Sequence, residues 1–500
     1  MTLCFVRFAV RRRSLSLPLS AACLVLAPII GQWANAGAQL VTPKTVPLHQ
    51  DDQFAIFPSS HPAIGVSIAL DDTLADPFSN PAKATRVRNG AVFASFGSHS
   101  LTAGHGGGQT LPVGGLTSVG SWAGGAVFAV QELKQGPSFT QAISDRTASN
   151  HYVMGTLAKR VSNGLSIGAS AYVAALGAVD AVDLLYAGSD RIEQSGTLAD
   201  FRLGLTKDWA QGRRFDFVVV HNRTSLTQDV HYHTFVRWDT VTHQQVFNDR
   251  TDDNLDHTNI WGSHSQFVMP FGEDGFRLGF VATANRLDHP KIPNYQLQSI
   301  PRDPGATYAY NVGIGVGRTV GLTTFGIDVI DEPMYSHTWG TAGGDTSVAG
   351  FPAVRAGNVT VDNHFDFSNS RIRLGVAQAF PIDTDTSTSW GFELGLDAYS
   401  INYHLRQTNY VRGGALRTQD EGWTEWTPSF GLRWRSKALE VRYTYQRTCG
   451  PSECADLGFG DKVTVPPATT GGIIAAPSSP LTINGGTASM HRLGVVVPMR

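Results

Sequence analysis

Between Phe276 and Asn285 the apolar side chains fall on every second position: Phe276, Leu278, Phe280, Ala282 and Ala284 alternate with Arg277, Gly279, Val281, Thr283 and Asn285. A period of two places the first set on one face of a β-strand. The stretch before it, 259–271, reads as a partner strand, and Gly272 to Gly275 as the tight turn between them. The same alternation recurs where Leu165, Ile167, Ala169, Ala171 and Val173 interleave with Ser166, Gly168, Ser170 and Tyr172, and where Phe392, Leu394, Leu396 and Ala398 interleave with Glu393, Gly395 and Asp397. The pattern predicts an all-β chain built from repeated hairpins.

The connections carry a second signal. Short ones at 162–164, 209–214, 272–275, 319–321, 381–389 and 436–437 alternate with long ones at 98–150, 177–192, 230–254, 290–306, 331–363, 405–422 and 448–489. Strict short–long alternation is the habit of transmembrane antiparallel β-barrels, which join strands by tight turns at one rim and long loops at the other. About fourteen strands are expected, an even number that returns both termini to one side. The stretch 91–97 is taken as the first strand and 117–131 is set aside as loop or inward-folded structure; the reverse choice would also give fourteen. A two-sheet sandwich would also alternate, but with its apolar face inward and without such one-sided loops.

Composition sharpens this reading. Charged residues make up only 16%, glycines number 53 and aromatics 10%, a surface suited to facing something other than water. Past the amino terminus there is no apolar run of about 18 residues, so no helix is expected to span a membrane, whereas a barrel strand needs only alternate apolar residues. Residues 1–38 read as an export signal, with Arg7, Arg11, Arg12 and Arg13 ahead of an apolar stretch and Ala34-Asn35-Ala36 or Ala36-Gly37-Ala38 as the cleavage site. Residues 39–90, broken by Pro43, Pro47, Pro58, Pro62, Pro77 and Pro81, form an ordered but irregular segment, and 91–500 form the barrel. A net charge of −2 argues against a nucleic-acid partner.

Several groups invite chemistry. Cys449 and Cys454 are expected to close a short loop as a disulfide rather than serve as a metal or redox pair, because no CxxC spacing accompanies them. His105-Gly106-Gly107-Gly108 and Gly164-Leu165-Ser166-Ile167-Gly168 match esterase fragments, but the second lies on a strand after a hairpin turn rather than on a strand-to-helix elbow. No enzyme is expected. His231, His233 and His243, with His257 and His264 nearby, read as solvated loop residues, and Asp328, Asp331 and Glu332 as a loop edge rather than a Ca²⁺ site. No metal or cofactor is expected. The polar rows hold Arg277, Asn285, Asp328, Arg371, Arg373, Glu393, Asp397, Arg433, Glu440 and Arg442, predicted to face the lumen, because a charge on the lipid side is costly. They read as a charge ladder bracing the interior, compatible with a polar constriction that orients an amphipathic ligand.

One junction goes further. The acidic pair Asp71-Asp72, then Asn80-Pro81-Ala82, then a basic stretch leading into the strand at 91–97, in an exported chain of about fourteen strands, resembles the FadL family of outer-membrane channels for hydrophobic compounds. The resemblance implies that the amino-terminal segment folds inside the barrel as a hatch, with Asp71, Asp72, Asn80, Pro81 and Ala82 belonging to it. It also implies that apolar ligands bind in the lumen and leave sideways into the membrane. The expected surroundings are outer-membrane lipid and a small hydrophobic ligand, and the chain is expected as a monomer. Some secretion-associated barrels share the Asn-Pro-Ala junction, so a structural or assembly-partner role is the alternative.

Overall fold

The computed structural model describes residues 58–499 apart from 67, 89, 102–105, 136–146, 181–190, 240, 243, 273, 290–304, 343, 384–387 and 450–486. The expected signal segment, residues 39–57, His105, His243 and Cys454 lie outside the described residues, and so does any bond from Cys449 to Cys454.

The chain forms β1 (Ala91–Leu101), β2 (Gly106–Val119), β3 (Trp122–Gln135), β4 (Thr147–Ser162), β5 (Leu165–Asp180), β6 (Arg191–Asp208), β7 (Arg214–Asp239) and β8 (Gln244–Phe271). It continues with β9 (Phe276–His289), β10 (Gly305–Val320), β11 (Thr323–Thr341), β12 (Val359–Pro381), β13 (Ser389–Asn409), β14 (Ala415–Arg435), β15 (Glu440–Cys449) and β16 (Thr487–Pro498). Each strand pairs antiparallel with its neighbours in sequence, and β1 closes on β16 with Ala91 opposite Pro498. Closure leaves no unpaired edge, the condition for a sheet to sit in lipid. Phe280, Val312, Ile314, Ile327, Leu374, Leu394 and Leu432 project outward and are exposed on the barrel wall. An outward apolar band on a closed antiparallel barrel is the surface of a transmembrane barrel.

Among the described residues the barrel has sixteen strands, not about fourteen, and the two missed strands are β2 and β3. The stretch 117–131, set aside above, holds the end of β2, a turn at Gly120 with φ 60°, and most of β3. Alternation fails as a signal in β2 because Gly106, Gly107, Gly108, Gly114 and Gly115 have no side chain to alternate and Pro112 reads as a breaker. Glycine is required at 114, where a Cβ would lie 2.4 Å from the Ala126 carbonyl oxygen and 2.8 Å from the Phe93 ring. The loop expected at 230–254 is also corrected: β7 and β8 continue through it, with His231 opposite Thr251. The loop expected at 405–422 is largely the continuation of β13 and β14. Polar outer positions mark these extensions as ladder that projects beyond the lipid band.

Neither esterase fragment forms an elbow. Gly106, Gly107 and Gly108 open β2, Gly107 and Gly108 paired with both β1 and β3 and Gly106 with β3. Ser166 is the second residue of β5, buried, and its hydroxyl accepts a hydrogen bond from Thr85 Oγ1 at 2.8 Å.

Candidate functional site: the lumen and the segment it holds

Residues 58–90 contain one short helical turn, Asp76–Ser79, and one 3-10 turn, Pro81–Arg86. A Cβ added at Gly168 on β5 or Gly204 on β6 would strike Pro81 and Asn80, one at Gly279 on β9 or Gly315 on β10 would strike Ile68, and one at Gly375 on β12 or Gly395 on β13 would strike Ile64 and Ala63. A single short stretch meets strands on so many sides only from within. The inward glycines let its backbone approach the wall.

An irregular segment in a narrow lumen must find partners for its amides, since each unpaired buried group is costly. Strand side chains supply them. Asp328 accepts from Ile68 N at 3.3 Å, Glu393 from Ala63 N at 3.2 Å, and Ser429 donates to the Ala63 carbonyl at 2.5 Å. Gln266 donates to the Ile68 carbonyl at 2.8 Å, Arg202 to that of Ser79 at 2.8 Å, and Arg442 to that of Ser59.

The acidic pair divides its labour. Asp72 is local: its carboxylate accepts from Ser60 N at 2.8 Å and from Leu74 N and Ala75 N at 3.0 Å, stapling one end of the segment to the turn that follows. Asp71 reaches the wall, pairing with Arg277 Nη1 at 2.9 Å and with Arg214. Burial pushes the Asp71 carboxyl up, but Arg277 and Arg214 outweigh it and hold the group well below the usual carboxylate range. Asn80 caps the following turn through Ala82 N at 3.1 Å while its amide donates to the carbonyls of Leu205 and Phe217, each at 3.3 Å. Pro81 begins that turn and Ala82 is fully buried, packed onto Gly168.

The remaining expected residues also face inward. Arg371 forms a fork with Asp397 at 2.8 and 2.7 Å from its Nε, and Arg373 approaches the same carboxylate at 3.6 Å. Arg442 and Glu440 pair at 2.7 Å with Arg433 at 4.0 Å, and Asn285 is buried beside Gly262. Of the histidines expected in loops, His231 lies on the outer face of β7 and bonds Thr251 at 2.8 Å, whereas His264 is not a loop residue but sits mid-strand on β8, facing inward and bonded to Thr283 at 2.7 Å.

Sequence reading missed a second ionic cluster. Lys83 lies 3.5 Å from Asp76, 3.4 Å from Asp216 and 2.8 Å from Gln266 Oε1, and Arg86 lies 2.9 Å from Asp216 and 2.8 Å from Asp208. Asp208 and Asp216 flank a tight turn and read as ordinary turn acids. Only the fold brings a basic turn against them. Burial pushes the Asp76 carboxyl up to about 6; Lys83 opposes this, and the charges of Asp72, Asp71 and Asp216 add to it.

It also missed an apolar wall. On β12 and β13 the hydrophobic parity inverts partway along. Near the short-turn rim Ile372, Leu374, Leu394 and Leu396 point out, whereas farther up Phe365, Phe367, Tyr399, Ile401, Tyr403 and Leu405 point in and are buried. With Ala309, Met334 and Trp423 they form one cluster on the inner face of β10 to β14. Ring centroids are 5.6 Å apart for Phe367 and Tyr403 and 6.5 Å for Tyr403 and Trp423. The signal was present in the sequence as a one-residue shift of parity.

A hollow of about 770 Å³ lies across β4 to β8, with Gly155, Ala169 and Ala171 at its floor and Leu157, Phe201, Leu203, Val219 and Trp261 around it. Its rim residues are outward and exposed, and the ladders from β4 to β8 are unbroken there. It is therefore a depression in the lipid-side wall, not a gap between strands.

No protein-family profile matches this chain, and no curated protein matches it. Among solved structures it is similar to a Pseudomonas aeruginosa FadL homologue, at 12% identity and TM-score 0.42, covering 88% of this chain and 96% of that one. It is similar to the CymD monoaromatic hydrocarbon channel at 10% identity and TM-score 0.41, covering 87% and 95%. The third is the Pseudomonas putida toluene transporter TodX, at 9% identity and TM-score 0.37, covering 87% and 95%. Likeness at this level carries no substrate or mechanism to the chain, whose own residues bear the argument below.

Proposed function

We propose that the protein is an outer-membrane channel for passive uptake of small hydrophobic or amphipathic molecules, with the segment 39–90 as a plug. The observation that carries this reading is the inward aromatic cluster of β10 to β14. A channel for ions or sugars keeps a polar lumen, because apolar surface facing water costs roughly 25 cal/mol per Å². Aromatic rings gathered on the lumen wall beyond the lipid band suit an apolar ligand that reaches them from dilute solution. The segment at 58–90 lies on the path such a ligand would follow toward the short-turn rim, which the reading takes as periplasmic. Asp71, Arg214, Arg277, Lys83 and Asp216 anchor it there, and the pair of Arg371 and Asp397 between cluster and segment supplies the polar site for a head group. The amino-terminal stretch 1–38 serves as the export signal.

The test is uptake by liposomes carrying the purified full chain, with an alkylbenzene and a medium-chain fatty acid as probes. Faster entry than into empty liposomes is expected, with the rate falling several-fold in Phe367→Ser and Tyr403→Ser proteins whose barrels still resist unfolding in detergent. Equal entry with and without protein overturns the proposal. A stable protein partner recovered without any uptake favours the assembly role instead.

A further inference from the structure

We propose that His337, Asp362 and His364 form a divalent transition-metal site on the outer surface of the barrel, above the lipid band. His337 on β11 stands directly opposite His364 on β12, and Asp362 is two residues earlier on the same face of β12. One donor atom from each lies within 4.8 Å of the others. His337 Nε2 is 2.7 Å and His364 Nε2 3.4 Å from the two oxygens of the Asp362 carboxylate. The imidazoles are parallel, 4.2 Å between centroids with 7° between planes, so both Nε2 atoms present to one point beside that carboxylate.

Two imidazoles and one carboxylate are the donor set of zinc sites that keep an open position, and borderline-soft ions such as Zn²⁺, Ni²⁺ or Cu²⁺ prefer it to Ca²⁺ or Mg²⁺. The site projects into water or the head-group layer. Below it on β11 the outward row runs Phe325, Ile327 and Val329, and Tyr335 intervenes before His337. Arg406 is opposite His364 on β13 and exposed; its long side chain has room to swing away into solvent. A strand ladder on both sides holds the backbone spacing, so the ligands need only a modest rotamer adjustment to close on an ion. His404 and Asp420 form a 2.5 Å pair on the neighbouring strands of the same surface; Asp366 stands opposite His404 on β12, but among the described residues no three donors close on one another there, so the pair provides an internal control.

The experiment is titration of the chelator-washed full chain, carrying no polyhistidine tag, with Zn²⁺ by calorimetry in detergent. One tight ion is expected, and the affinity should fall by at least about tenfold, since an ordered ligand is lost, in His337→Gln, Asp362→Asn and His364→Gln proteins but not in His404→Gln. Trp339, whose ring lies 5.1 Å from that of His337, supplies a second readout: Cu²⁺ should quench a component of the fluorescence that is absent from Trp339→Phe. The three ligand variants and His404→Gln all lie on the outward face of the ladder, so their barrels should form. Binding by His337→Gln and His364→Gln equal to that of the native chain, or an equal loss in His404→Gln, overturns the site.

Discussion

Asp71, Asp72 and Asp76 lie within six positions of one another, yet their surroundings send them in different directions. Asp72 spends its oxygens on backbone amides, as a capping carboxylate does. Asp71 is held ionised by Arg277 and Arg214 despite burial, so what it contributes is present above the ordinary carboxylate range and is lost only in strong acid. Asp76 has the opposite sign. Its carboxyl is raised by burial to about 6, so the stabilisation of its protonated form is full below about 4 and disappears as pH rises through about 6. At neutral pH the ionised, largely enclosed carboxylate therefore costs roughly 1–3 kcal/mol. If the segment is a plug, openings recorded in planar bilayers should be rarer at pH 4.5 than at pH 7, and Asp76→Asn should show the rarer openings at both. Native and variant channels with the same pH dependence would refute this. Gly204 gives a steric counterpart. A Cβ there would come within 2.0 Å of Asn80 Oδ1, so Gly204→Ala should unseat the turn and raise leak current several-fold. Gly344→Ala, with nothing within 4 Å of its Cβ, should leave the current unchanged.

At the scale of the strand, parity does the sorting. Along β13 the outward row runs Trp390, Phe392, Leu394, Leu396 and Ala398 before turning to Ser400, Asn402 and His404, while the inward row runs Glu393, Gly395 and Asp397 before turning to Tyr399, Ile401, Tyr403 and Leu405. Both rows change character at the same height, which is where lipid ends. Leu374 lies mid-band on β12 and Ser368 lies above it on the same outward face. Arginine at 374 should cost about 2–4 kcal/mol, the depth-dependent penalty for a charge at the bilayer midplane, whereas arginine at 368 should cost about 0–1. Urea titration of folding into lipid vesicles measures both, and equal costs would mean that the band is misplaced. This height change also explains what could be read without coordinates. The hairpin 259–285 is legible because its outward row after the turn is apolar while the inward row, Val281 apart, is polar or small: Phe280 faces lipid, and Arg277 and Asn285 face in. β2 was illegible because glycine erases alternation. The aromatic cluster escapes the sequence reading because the rule of apolar outward holds only up to the height at which lipid ends. Register was the other missing quantity. His337 and His364 are far apart in sequence, and Asp216 and Lys83 farther still; only ladder pairing and the path of the segment bring each pair together.

At the scale of the whole molecule, barrel and segment are separable in energy even though they interlock in space. The ladder closes through β1 and β16, in an eleven-residue register from Ala91 to Leu101 whose backbone pairing lies within the two strands, although Gly90 O also accepts from Met499 N at 2.7 Å and the Phe78 ring packs edge-on against Phe93 at 6.2 Å. The segment, by contrast, is held almost wholly by the wall: Asp71 by Arg214 and Arg277, Lys83 and Arg86 by Asp216, Ile68 by Asp328 and Gln266, and Ala63 by Glu393 and Ser429. Deleting 39–88 behind an intact export signal should therefore leave a barrel that still forms. Its lumen should then hold Arg277, Asp216, Asp328 and Glu393 facing water, a solvated state these charges tolerate because the channel admits it. Ion conductance should rise. Raising salt should loosen the native segment as well, since its partly exposed pairs at Asp71 are screened over about 3 Å at 1 M ionic strength, so native current should rise faster than bulk conductivity, whereas the current of the deletion should only follow it. Single-channel recording of both proteins at low and high salt checks each arm. Unchanged current after deletion would show that the segment lies in the lumen without closing it, and the task of excluding ions would then pass to the aromatic wall of β10 to β14.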